Sequence, residues 1–352
     1  MNRARPLLVS NDPDLIDDVL RMAAANGIEV HLATDAESAR SRWSVAPLVL
    51  IGADLGAGTA RLRPPRRRDV VLVTREPTAE DWQSAVGVGA EHVVALPDAE
   101  RWLVDRLADC GEGVARDGTV VAVMSAGAGA GASTLASTLA LAAAYRSMRV
   151  LLVDADPWGG GLDVLLGIED APGSRWADLA DTRGRLSAAA LEQALPHVSG
   201  VSLLSWGREG STSPTPEAFA SILDAGARGF DLVVVDLPAR LDEITDAVVG
   251  RAHHTLLVAA TRVRSAVAAA RLSSTLMART AGVGVVLRED PRGISEESVI
   301  ATLSAPLLGR IPHHAALARR ADEGEPPSLR DAYGRACQAL LSSVTAASGA
   351  AA

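Results

Sequence analysis

Met124-Ser125-Ala126-Gly127-Ala128-Gly129-Ala130-Gly131-Ala132-Ser133-Thr134 lies between an apolar run, Thr119 to Met124, and a long helical pattern, Ser133 to Tyr145. From Ala126 to Ala132 every side chain is a hydrogen or a methyl group. A backbone this bare can curl tightly and turn successive N–H groups into one concavity, and a helix starting at its end adds partial positive charge there. Strand, glycine-rich turn and helix in that order predict a phosphate-binding loop in a parallel α/β sheet. A tight strand-to-helix turn under another element is the alternative reading of the same residues.

A Walker-type loop places lysine and then Ser or Thr after its last glycine. Here Ala132 stands at the lysine position, followed by Ser133 and Thr134. The hydroxyl that would hold Mg²⁺ is present and the ammonium is absent. The absence runs through the chain: all 34 basic residues are arginine, so no chemistry that needs a lysine amine can occur in it. Two further apolar runs end in acids, Val150-Leu151-Leu152-Val153-Asp154-Ala155-Asp156 and Leu232-Val233-Val234-Val235-Asp236. An acid at the carboxyl end of a parallel strand faces the crevice where ligands bind, although either acid alone would also suit a turn.

Working outward, Val201 to Leu204, His254 to Ala259, Gly284 to Leu287 and Leu307 to Ile311 read as further strands. Helical patterns at Pro216 to Gly226, Ala266 to Thr280 and Ser328 to Ala346 separate or follow them. Upstream, Pro6 to Ser10, Ile28 to Leu32, Leu48 to Gly52, Val70 to Thr74 and His92 to Ala95 form a second series of short apolar runs. Helices are expected between them at Asp12 to Asn26 and Ala36 to Trp43. The polar stretch Gly111 to Gly118 divides the two series. The expected architecture is α/β throughout: a receiver-like (flavodoxin-like) domain at 1–110, a linker at 111–118 and a P-loop NTPase-like doubly wound domain at 119–346.

Composition narrows the function. Hydrophobic residues make up 48% and charged residues 22% of 352, which excludes wholesale disorder. Aromatics at 3% and a net charge of −9 argue against direct nucleic-acid binding. Cys110 and Cys337 form no CxxC, and the pairs His253-His254 and His313-His314 have no metal-ligand spacing. The longest apolar run, Leu139 to Tyr145, is far below the roughly 18 residues of a membrane span. The expected location is cytoplasmic, with recruitment to the inner face of the membrane through partners or the arginine-rich segment Arg61 to Arg68.

From about Thr119 to Leu341 the chain resembles the deviant-Walker ATPases of the MinD/ParA group. Within that group it is most similar to the CpaE/TadZ-like proteins of actinobacteria, a subgroup tied to septum-site determination or to secretion machinery. Where the group reads KGGVGKTT, this chain reads Gly127-Ala128-Gly129-Ala130-Gly131-Ala132-Ser133-Thr134. The resemblance implies an ATP/Mg²⁺ site. Gly127, Gly129, Ala130, Gly131, Ala132, Ser133 and Thr134 would cradle phosphate, with Arg288 and Pro312 at the adenine. Ser133, Asp154 and Asp236 would support Mg²⁺, and Asp156 would position the attacking water. It also implies a homodimer and protein partners in the division or pilus/secretion machinery. Two departures stand out: the group's signature lysine is Gly127 here, and Arg288 stands where an asparagine usually reads adenine.

The first domain resembles a response-regulator receiver without its chemistry. Asn11-Asp12 follows strand one and Thr74 ends strand four, but the phosphoacceptor position is Gly52, with Asp54 two residues late, and the lysine position is Leu96. A docking domain follows from this. For Arg61 to Arg68 the prolines make a poor helix where a receiver has its third; a solvated loop and a docking site for an acidic partner or lipid headgroup are the two readings. The function the resemblance implies is spatial regulation of septum sites or of pilus/secretion machinery, with weak or absent hydrolysis. The alternatives are an active ATPase in which Arg149 or another arginine replaces lysine, and a nicotinamide-dependent oxidoreductase, because Gly127-x-Gly129-x-x-Ala132 also fits the looser dinucleotide fingerprint.

Overall fold

The computed structural model describes residues 5–111, 118–182, 186–208, 214–280 and 282–350. The chain divides into two compact units, Met1–Ala115 and Arg116–Ala352. The expected linker falls at 112–117 outside the described residues.

The first unit runs β1 (Leu7–Val9), α1 (Pro13–Ala25), β2 (His31–Ala33), α2 (Arg40–Trp43), β3 (Val49–Gly52), α3 (Ala53–Arg61), β4 (Val70–Thr74), α4 (Ala79–Val88), β5 (His92–Ala95) and α5 (Glu100–Gly111). All five strands are parallel in the order β2-β1-β3-β4-β5, the flavodoxin-like order. Helices cover both faces. Leu8, Leu50 and Val71 turn toward Leu15, Val19, Leu103 and Leu107, while Leu7, Val9, Val49 and Ile51 turn toward Trp43 and Val88. Strands buried on both faces read as unbroken apolar runs, which is why the sequence reveals them. Local signals set the ends: Asp12 caps α1 before Pro13, and Thr78 with Asp81 forms a capping box on α4.

Three expectations shift. The second strand is His31–Ala33, not Ile28 to Leu32, because Gly27 turns left-handed (φ +65°) and the Ile28 N–H returns to Ala23 O, closing α1. Helix α2 covers only Arg40–Trp43 of the expected Ala36 to Trp43. The third receiver helix is present as α3, which lies ahead of the arginine-proline segment instead of being displaced by it.

The second unit opens with β6 (Thr119–Ser125), α6 (Ala132–Tyr145), β7 (Val150–Asp154), α7 (Leu162–Leu165), α8 (Trp176–Leu179), α9 (Ala188–Ala194), β8 (His197–Val198) and β9 (Val201–Leu204). It continues with α10 (Pro216–Gly229), β10 (Leu232–Leu237), α11 (Glu243–Val249), β11 (His254–Ala260), α12 (Val263–Met277), β12 (Val283–Arg288), α13 (Glu296–Ile300), β13 (Leu307–Ile311), α14 (Ala316–Asp322) and α15 (Ala332–Ala350). Its sheet order is β13-β12-β11-β6-β10-β7-β9-β8, parallel except for β8. The glycine-rich turn leaves central β6. Neighbouring β10 carries Asp236, and the next strand, β7, carries Asp154 in register with it. Helix α6 is buried along most of its length, including Leu135, Leu139 and Ala140, because strands cover one side and Tyr333, Cys337 and Leu341 of α15 cover another.

Candidate functional site

Gly127, Gly129 and Gly131 take φ of +113°, +70° and +99°, conformations that residues with a Cβ rarely adopt. That alternation winds the loop. Its base is fixed from β11 and α12: the Ala126 N–H donates to Val258 O at 2.8 Å and the Ser265 hydroxyl donates to Ala126 O at 2.7 Å. The Ala130 N–H returns to Gly127 O at 3.3 Å. Among the described residues, the N–H groups of Gly129, Gly131, Ala132 and Ser133 meet no protein acceptor. They stand at the N-terminus of a 14-residue helix, which is chemistry for an anion.

Beside the loop, Asp154 accepts the N–H groups of Asp156 (3.1 Å) and Leu162 (3.0 Å), and the Trp176 indole N–H pins the Asp154 carbonyl at 2.6 Å. The Ser133 hydroxyl lies near Asp236 and works to lower its pKa. Both carboxylates are buried, and burial is the main cause that pushes Asp154 up to about 7 and Asp236 up to about 8; the negative charge of Asp156 raises both further. The two compete for charge in the same dry corner.

A cavity of about 230 Å³ joins these groups: Ser133 and Thr134 on the loop side, Asp154, Asp156 and Asp236 on the strand ends, and Asp322 from the end of α14. The turn Gly159 to Gly161 and Leu162 complete the wall. Among the described residues, four carboxylates and no basic side chain line it. Among the described residues no three His, Cys, Asp or Glu side chains are arranged to hold a metal by themselves. A hard divalent ion here needs Ser133 and the ligand's own oxygens to complete its shell.

The structure separates the other expected site residues. Arg288, at the end of β12, reaches over the loop: its Nη2 donates to Gly129 O at 3.0 Å and its Nε is buried without a partner. Pro312 follows β13, whose Ile311 pairs with Arg288, and lies outside the cavity. Arg149 precedes β7, where its carbonyl accepts the Asp231 and Leu232 N–H groups and its side chain approaches Glu192 at 4.0 Å. It therefore sits at the amino edge of the sheet, a strand length of roughly 16 Å from the loop, and cannot replace the missing lysine. The Arg288 contact escapes sequence reading because it joins residues 159 positions apart. The same holds for Asp322 and for the buried Asp163, paired at 3.1 Å with Arg208.

In the first unit the corresponding strand-end site is filled. A Cβ on Gly52 would lie 2.2 Å from Asp54 Oδ1 and 2.7 Å from Ser10 Oγ. The Asp54 carboxylate folds back into that space, accepting from the Ser10 hydroxyl at 2.9 Å and the Asn11 N–H at 2.6 Å. Leu96, at the lysine position, is buried.

Residues 121–327 match the family described as the CobQ/CobB/MinD/ParA nucleotide binding domain. The chain belongs to the MinD/ParA family. Residues 9–118 match the Rv3660c-like, CheY-like N-terminal domain, so a receiver-like unit precedes a P-loop unit, as the sequence implies. An uncharacterized protein of Mycobacterium tuberculosis, Rv3660c, is 40% identical over 319 residues, covering 89% of this chain and 90% of that one. A putative septum site-determining protein MinD of Emiliania huxleyi is 25% identical over 221 residues, 60% of this chain and 80% of its own length. The cell division ATPase MinD of Pyrococcus furiosus shares the fold, with a TM-score of 0.55 at 22% identity over 65% of this chain and 99% of that one.

Proposed function

We propose that this MinD/ParA-family protein is a spatial regulator of septum sites or of pilus/secretion machinery, whose P-loop unit binds nucleotide and turns it over weakly or not at all. One observation carries the reading: the loop offers free N–H groups at a helix N-terminus while the cavity beneath it holds carboxylates and no cation. Mg²⁺-ATP fits the residues present in part. Backbone amides would take phosphate, Ser133, Asp154 and Asp236 would take Mg²⁺, and bound Mg²⁺ would supply the positive charge the side chains lack. Each missing charge-assisted contact costs about 1.5–3 kcal/mol of binding, so affinity is modest. The output is then binding to protein partners, by a homodimer at the inner face of the membrane, with the receiver-like unit as a docking domain. The name of the Emiliania huxleyi relative, a putative septum site-determining protein, supports the septum side of this reading.

A second reading has one observation in its favour. Arg288 is an arginine that reaches the loop, and an active ATPase would use it in place of lysine. Geometry speaks against the nicotinamide reading: the acid that holds a ribose ends the strand that comes next in sequence, about 20 residues on, and lies beside the glycine-rich strand, whereas β10 separates β6 from Asp154 on β7.

Thermal melts with Mg²⁺-ATP, Mg²⁺-ADP and NAD separate the readings. Ligand binding raises the melting temperature by mass action, so both Mg²⁺-nucleotides should raise it and NAD should not. A shift with NAD alone, or none with millimolar nucleotide, would reject the proposal.

A further inference from the structure

A second cavity, about 240 Å³, lies in the receiver-like unit between the α2 segment and α3. Trp43, Leu62, Pro64 and Pro65 give it apolar walls, and Arg40 and Arg63 stand exposed at its rim. Two hydrogen bonds build it. The Trp43 indole N–H donates to Pro65 O at 2.9 Å, and the Arg67 guanidinium donates to the Trp43 carbonyl. The arginine-proline segment is an exposed loop, as the first reading has it, tied to Trp43 at two points so that it walls the cavity. On the α3 side sits Thr59, 2% exposed, whose hydroxyl has no partner, an exception among buried polar groups that needs an explanation.

Charge identifies the occupant. Between residues 35 and 69 seven arginines stand against four acids, in a chain whose net charge is −9. Of those acids Asp54 is engaged by Ser10 and Asn11, Asp35 by the Glu37 and Ser38 N–H groups, and Asp69 by Arg106. Among the described residues neither Arg40 nor Arg63 has an ion pair. About 240 Å³ has room for one inserted apolar side chain. A lipid headgroup would use the arginines but not the apolar walls.

We propose that this groove docks an acidic peptide segment of a protein partner, which seats one leucine- or phenylalanine-sized side chain against Trp43 and Pro65 and lays its carboxylates on Arg40 and Arg63. Clusters of arginine read acidic motifs in this way, and an apolar anchor in a pocket supplies the affinity. The site is independent of nucleotide.

The test is fluorescence anisotropy of the full chain with labelled five-residue peptides in which Asp and Glu flank a central leucine, phenylalanine or serine. The leucine or phenylalanine peptide should bind about tenfold more tightly than the serine peptide. Arg40→Glu with Arg63→Glu, both exposed positions, should weaken it by about 100-fold, and Ala36→Trp, which fills the cavity without changing charge, by about tenfold. Thermal melts check that the variants fold; the serine comparison needs no variant. Equal binding of the serine peptide, no saturation at millimolar peptide, or binding of phosphatidylserine vesicles in place of the peptides overturns the proposal.

Discussion

In the receiver-like unit the space above Gly52 is occupied by the chain's own Asp54 carboxylate, whereas in the MinD/ParA unit the N–H groups of Gly129, Gly131, Ala132 and Ser133 meet no acceptor among the described residues. Both sites depart from their family's pattern at the residue that carries the chemistry, and the departures differ in kind. One site is filled: restoring phosphoryl chemistry there means expelling a carboxylate and breaking its two hydrogen bonds. The other is shaped but lacks charge, so a single cation changes it. On the proposed reading one site is silent by sterics and the other by electrostatics, and only the second leaves room for a ligand.

The largest expected effect sharpens this contrast. Ala132→Lys places an ammonium at a helix N-terminus already wound for phosphate. Calorimetry should find Mg²⁺-ATP affinity raised by about 10–100-fold, with hydrolysis still low because Gly127 carries no cation. An unchanged affinity would mean that the loop does not bind phosphate.

The mirror experiment in the first unit should go the other way. Gly52→Asp puts a Cβ 2.2 Å from Asp54 Oδ1, so denaturant titration should show a loss of roughly 1–3 kcal/mol and acetyl phosphate should not label the variant. Adding Asp54→Ala clears the space and should recover part of the stability. Stoichiometric acid-labile phosphate on the wild-type Asp54 would break the comparison outright.

A smaller effect tests the buried charge. The folded-state pKa of Asp236 is raised to about 8 by burial, above its unfolded value of about 4. The stability it contributes as a neutral acid is complete below pH 4 and is lost as the pH rises through 8. Asparagine stays neutral throughout. Asp236→Asn should therefore raise the melting temperature of the nucleotide-free protein by roughly 2–6 °C at pH 8, by less at pH 5, and leave it unchanged below pH 4. An equal gain at every pH would place its cause in packing.

These contrasts are unevenly legible in the sequence. Val70–Thr74 and Val201–Leu204 carry the same bounds as strands in the structure, because apolar runs buried on both faces end at polar turns; edge strand His92–Ala95 does so too. Helix α3 is hidden by Gly56 and Gly58 in its interior, and tertiary packing outweighs their poor propensity. The two-residue β8 is too short to leave a pattern. In the candidate site, Ser133, Asp154, Asp156 and Asp236 stand out because each lies at the end of the glycine-rich loop or at or just past the carboxyl end of an apolar strand. Arg288 across Gly129, Asp322 in the cavity wall and Asp54 in the Gly52 space are long-range or out-of-register contacts, and local spacing holds no trace of them.

ATP turnover of the wild type measured beside Asp156→Ala and Arg288→Ala tests the central proposal most directly. Losing one well-placed cationic contact slows such chemistry by roughly two to three orders of magnitude, and this loop lacks two, at Gly127 and Ala132. The expected result is the same near-background rate for all three proteins. Wild-type turnover that disappears with Asp156→Ala and falls with Arg288→Ala would contradict the account and make Arg288 the working cation of an active enzyme.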